Sequence, residues 1–134
     1  TKVFQALRII VNNEISELIL GLSKSCNLIS DNGVIATVTF HSIEDRICKF
    51  FFNEISNVKK VSRYLPINRI EDTSFNLIKK KPIIPTAREI EINLPSRSAK
   101  LRAVKRKGKK RVDTQFIFDK FKYLLEIENL ASKL

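Results

Sequence analysis

The stretch Asp31 to Phe52 constrains the fold more than any other, because the hydrophobic period changes inside it from two to about 3.6. Asp31-Asn32-Gly33 is turn chemistry, and it delivers the chain into Val34 to Phe40, an apolar, β-branched run short enough for a buried strand. After Ser42 the apolar residues Ile43, Ile47, Phe50, Phe51 and Ile55 fall at helical spacing. Ser42 with Asp45 three residues on has the form of a capping box whose acid is one methylene short. The reading is a strand, a tight corner at His41-Ser42, and a helix. In open α/β sheets the carboxyl end of a strand is where ligands collect, so His41, Ser42, Glu44, Asp45 and Arg46 are the first candidates for function.

The flanking segments extend this unit to an α/β architecture. Val3, Phe4, Leu7, Ile10, Val11, Ile15, Leu18, Ile19 and Leu22 trace a wide apolar stripe, which predicts one long helix, capped by Thr1 and broad enough to bury against a sheet. Asn57 to Asp72 reads as a basic loop. Phe75 to Ile78, followed by Lys79-Lys80-Lys81, suits a strand near a sheet edge, where lysine discourages further pairing. Pro82 and Pro85 forbid regular structure, and Thr86 with Glu89 offers one capped helical turn. Ser98 to Val104 reads as a strand pairing back on Phe75 to Ile78. From Asp113 or Thr114 a helical pattern runs nearly to Leu134.

Charge narrows the partners. Lys and Arg number 25 against 14 Asp and Glu, a net +11, and nine of the cations lie between Arg97 and Arg111 without an acid. Such a surplus favours a polyanion, nucleic acid before membrane, since no long basic amphipathic helix stands out. No run approaches about 18 apolar residues, so a soluble, cytoplasmic chain is expected. Cys26 and Cys48, far apart in sequence with no partner spacing, are expected to be reduced and buried, with a disulfide or metal pair as the alternative, and no metal site is expected. A chain of 134 residues that starts at Thr1 and has no Met is expected to be a piece of a longer protein.

Four blocks in order carry a family resemblance: Phe4-Gln5-Ala6-Leu7-Arg8-Ile9 with Val11-Asn12; Phe40-His41-Ser42-Ile43-Glu44-Asp45-Arg46; Lys81-Pro82 with Pro85; and Arg97-Ser98-Ala99-Lys100-Leu101-Arg102. Together they resemble the carboxyl-terminal portion of the MraW/RsmH family, S-adenosylmethionine-dependent methyltransferases of N4 of a cytidine in 16S ribosomal RNA. The resemblance implies the C-terminal half of a class I, Rossmann-like methyltransferase sheet, with three strands and flanking helices. Val34 to Phe40 would be the fifth strand of the complete sheet, and the later two an antiparallel hairpin at its end. Residues 1–106 would be the methyltransferase portion and 107–134 a basic linker and helix.

The resemblance also implies that the S-adenosylmethionine site lies on earlier strands and not on this chain, whose glycines stand at 21, 33 and 108 with no cradle among them. Such a fragment would be catalytically silent without its other half. The implied partner is 16S rRNA or the small ribosomal subunit, and an unpaired apolar edge on Val34 to Phe40 would invite self-association. His41 has two readings: a tautomer-fixed group bonded to backbone, or, with Ser42, a wall of the cytosine pocket. Arg46 either pairs internally with Glu44 or Asp45 or contacts phosphate. Lys49, Arg97, Lys100, Arg102, Lys105 and Arg106 are the other RNA-binding candidates, with Arg97, Lys100 and Arg102 expected as one RNA-facing row. A non-catalytic basic RNA-binding module is the alternative function.

Overall fold

A computed structural model describes residues 2–56 and 73–131. The predicted loop at Asn57 to Asp72 and the Thr1 cap lie outside the described residues. The elements are α1 (Lys2–Val11), α2 (Glu14–Leu28), β1 (Val34–Thr39), α3 (Ser42–Ile55), β2 (Phe75–Leu77), α4 (Ala87–Ile92), a 3-10 turn (Leu94–Ser98), β3 (Lys100–Arg106), α5 (Gln115–Lys120) and α6 (Lys122–Ala131).

The sheet has three strands in the order β1-β3-β2, with β3 antiparallel to both neighbours. The later strands pair as expected, but β3 enters between β1 and β2. Val34 to Thr39 is therefore an edge strand among the described residues. Its pairing runs from Val34 opposite Lys105 to Thr39 opposite Lys100. Alternation along β3 places Lys100, Arg102, Val104 and Arg106 on one face and Leu101, Ala103 and Lys105 on the other.

The first of these faces is covered. Ile35, Val104 and Phe75 pack in one cluster with Ile47, Cys48, Phe51, Phe52 and Ile55 of α3, Ile15, Ile19, Leu22 and Cys26 of α2, and Ile117 and Phe121 from the C-terminal segment. Phe50 meets Phe116 and Phe121 edge-on, so the aromatic run of α3 is core. Both cysteines are free and buried, and burial pushes the Cys48 thiol up to about 11. The other face is open: Val34, Val38 and Ile84 are at least half exposed.

Both long helices read from the sequence are broken. Asn13 adopts the left-handed conformation (φ 51°) and separates α1 from α2, a conformation that asparagine tolerates better than most residues. The break turns the stripe of α1 away from the sheet: Ile9 is its one buried residue, while Phe4 and Leu7 stay exposed. Phe121, at φ −110° and ψ 19°, separates α5 from α6. The segment after residue 107 is built into the common core through Ile117 and Phe121. At the turn before β1, Asn32 takes the positive φ of 62°, while Gly33 is needed because a Cβ there would strike Ile29 and the Ser30 carbonyl.

Candidate functional site at the β1–α3 corner

The corner forms as the sequence predicts but is capped one residue earlier. His41, extended at φ −136° and ψ 163°, is the N-cap of α3. Its Nδ1 accepts from the Glu44 backbone N–H at 3.4 Å, and Glu44 Oε2 accepts from Phe40 N–H at 3.0 Å and His41 N–H at 3.4 Å. The capping box is thus His41 and Glu44, not Ser42 and Asp45. Ser42 is the first helical residue and is exposed. The ring of His41 is bonded to backbone, as the first of its two readings has it, and its side chain is only 7% exposed.

Displaced from the cap, Asp45 serves another purpose. Arg102 Nε donates to Asp45 Oδ1 at 2.8 Å and Arg102 Nη2 to Oδ2 at 3.3 Å, while Lys100 Nζ reaches Oδ2 at 3.2 Å. Lys100 and Arg102 do share a strand face, but that face looks at α3. The expected row of RNA-facing cations is therefore not formed: Arg102 is nearly buried in its ion pair, and Arg97 sits apart on the 3-10 turn. Arg46 is exposed, since Asp45 is engaged by β3 and Glu44 by the cap. Lys49, Arg97 and Lys105 are also exposed.

Arg106 is the clearest correction. It is 5% exposed, and its guanidinium donates to the carbonyls of Cys26, Ile29 (3.3 Å), Gly108 (2.8 Å) and Lys110 (3.0 Å). Four of its five N–H donors are engaged and the side chain is buried, so it is not presented to a phosphate as charge counting suggests.

Burial raises the Asp45 carboxyl, but the hydrogen bonds and charges of Arg102 and Lys100 outweigh it and hold the group below its ordinary value. A depressed carboxylate contributes stability that is fully present above the unfolded value near about 4 and is lost as pH falls through the folded one. Asp45→Asn is expected to cost about 1–2 kcal/mol at pH 7. The difference from the parent should shrink below about pH 4, which urea midpoints taken between pH 3 and 7 will check.

Sequence reasoning missed Glu14. It opens α2, yet its Oε2 lies 3.6 Å from His41 Nε2, and its Oε1 forms an ion pair with Arg8 Nε at 2.9 Å. A separation of 27 residues hides this neighbour of the corner; only the resemblance block containing Arg8 lay near it.

A strand that ends in a capped corner, with two further strands antiparallel at the sheet's end, matches the C-terminal half of a class I methyltransferase. Comparison with known proteins makes the class specific. A family model described as the MraW methylase family matches residues 1–107. The chain is 46% identical over 108 residues to a ribosomal RNA small subunit methyltransferase H of Methylorubrum populi, covering 79% of this chain and 31% of that protein. It is 42% identical over 106 residues to the protein so named in Lactiplantibacillus plantarum (78% and 33% covered), and 47% identical over 106 residues to that of Borreliella afzelii (79% and 31%). The chain belongs to the MraW methylase family. It spans about a third of the length of these relatives. No helix among the described residues is long and apolar enough to cross a membrane.

Proposed function

We propose that this chain is the carboxyl-terminal part of an S-adenosylmethionine-dependent methyltransferase acting on N4 of a cytidine in 16S rRNA of the small ribosomal subunit, in the cytoplasm. The observation that carries the reading is the family match over residues 1–107, with the capped corner at the end of β1 inside it. S-adenosylmethionine, when bound, supplies an electrophilic methyl group. The residues of this chain contribute shape and charge: His41 and Ser42 form a wall of the base pocket, and the exposed Arg46, Lys49, Arg97 and Lys105 meet phosphate. His41 need not act as a base, because a correctly held exocyclic amine can lose its proton after transfer, and placement carries most of the rate. In this structure the Nδ1 lone pair of His41 accepts from the Glu44 N–H.

The cofactor-binding residues are proposed to lie outside this chain. Calorimetric titration with S-adenosylmethionine should show binding only when a polypeptide supplying the upstream half of the family fold is added, and the mixture should methylate small-subunit RNA. Binding by the isolated chain would overturn the assignment of the cofactor site. RNA binding with no cofactor binding in either case would favour the alternative of a non-catalytic RNA-binding module. Replacing Arg97 and Lys105 together by glutamine is expected to reduce the slope of log affinity against log salt by about 0.7 to 0.9 for each phosphate no longer neutralised, measured by anisotropy with a 16S rRNA fragment. An unchanged slope would remove both residues from the interface.

A further inference from the structure

We propose that Glu14, His41 and Glu44 form a binding site for a divalent transition-metal ion. His41 Nε2 lies 3.6 Å from Glu14 Oε2 and 3.4 Å from Glu44 Oε1, and the three candidate ligand atoms all lie within 4.8 Å of one another. Neither contact is a hydrogen bond. Nε2 is accordingly buried without a hydrogen-bond partner, on a side chain 7% exposed and aimed between two carboxylates. These separations are, however, the edges of a coordination polyhedron: an ion about 2.1 Å from each ligand, with angles near about 110°, sets its ligands about 3.4 Å apart.

The remaining oxygens are already anchored. Glu44 Oε2 is held by the Phe40 and His41 N–H groups, and Glu14 Oε1 by Arg8. Each carboxylate therefore has one oxygen oriented by the protein and one directed at His41, the arrangement by which outer contacts orient metal ligands. Arg8 also reaches Glu14 Oε2 at 3.4 Å, so the bound ion competes with one long contact. Loading moves the imidazole proton from Nε2 to Nδ1. That gives up the 3.4 Å cap from the Glu44 N–H, while the Glu44 arm of the capping box stays intact. One imidazole with two carboxylates suits Zn²⁺, Mn²⁺ or Fe²⁺ better than Ca²⁺ or Mg²⁺, which prefer oxygen alone. Three protein ligands leave at least one coordination position for water or a substrate oxygen.

The sequence holds a single histidine, so its ring nitrogens give unambiguous NMR signals. Titration of the chain with ZnCl2 should show one ion per chain by calorimetry. The ring should change from protonated at Nε2 to protonated at Nδ1 in ¹⁵N correlation spectra, and MnCl2 should broaden the His41 ring signals first. Glu14 lies outside the capping box, so Glu14→Gln leaves the α3 cap in place; it should weaken Zn²⁺ at least tenfold, while Glu17→Gln on the exposed side of the same turn should not. Absence of saturable binding overturns the proposal, as does binding unaltered by Glu14→Gln or a ring that keeps its proton on Nε2 at saturation.

Discussion

Replacing Arg106 by leucine is expected to destabilise the chain by about 2–4 kcal/mol, because it leaves backbone carbonyls at and near the core without their donor. The carbonyls of Cys26 and Ile29 end α2, and those of Gly108 and Lys110 belong to the connection that follows β3. One guanidinium therefore joins the last turn of α2, the end of β3 and the segment leading to α5. It also lies over the Phe75 ring at 5.6 Å, where leucine restores some apolar contact but no donor. Arg106→Lys should recover little, because a single ammonium cannot reproduce a planar fork that serves four carbonyls. Lys105→Gln, one residue away on the open face, should stay within about 0.5 kcal/mol. Denaturant midpoints at constant slope will check all three variants, and a loss below about 1 kcal/mol for Arg106→Leu would show that water replaces its hydrogen bonds.

The contrast between Lys105 and Arg106 marks where the sequence stops being legible. The strand itself can be read from alternation, but which of its faces looks at α3 depends on the packing of the sheet. Lys100, Arg102, Lys105 and Arg106 all lie on β3, and the face each occupies decides whether its charge is buried, paired or free. The β1–α3 unit was readable because its period changes within a few residues and turn chemistry marks its start. The cap was misread by one residue for a related reason: serine is a common N-cap and histidine is not, so propensity pointed at Ser42 while the backbone bends at His41. The two broken helices were hidden because a single left-handed residue at Asn13, or a local distortion at Phe121, leaves the apolar period on either side intact.

The candidate site divides in the same way. His41 and Glu44 stand three residues apart and appear together in any reading of the corner. Glu14 joins them only because α2 starts beside the end of β1, a relation set by the Asn13 break and by what α2 packs on. Asp45 was placed in the right element with the wrong partner, since a carboxylate three residues after a helix start fits a cap as well as it fits a cation on the next strand. In each case local pattern identified the residue, and the long-range contact assigned its task.

Glu128→Gln is expected to cost about 2–3 kcal/mol, from a residue on the last described helix that no family block reaches. Its carboxylate is 2% exposed and accepts from the backbone N–H groups of Ile15 and Ser16, each at 2.9 Å, and from the Ser16 hydroxyl. Those are orphan donors of the first turn of α2, whose own N-cap, Asn13, makes no side-chain bond because it is spent on the left-handed turn. The negative charge also meets the positive end of the α2 dipole, as the Arg106 guanidinium meets its negative end. α2 is thus terminated at both ends by side chains from distant parts of the chain, and the segment after residue 107 is needed for one of them. Glutamine keeps the shape but turns one acceptor into a donor facing N–H groups, so the cost exceeds that of a neutral hydrogen bond. Glu126→Gln, which removes an exposed 3.8 Å pair with Lys122, should cost less than about 0.5 kcal/mol. Hydrogen exchange should show faster opening at Ile15 and Ser16 and along α6 in Glu128→Gln, with β3 amides changed only as far as global stability falls. Equal acceleration everywhere with no local excess would mean that the carboxylate does not hold α6 on α2.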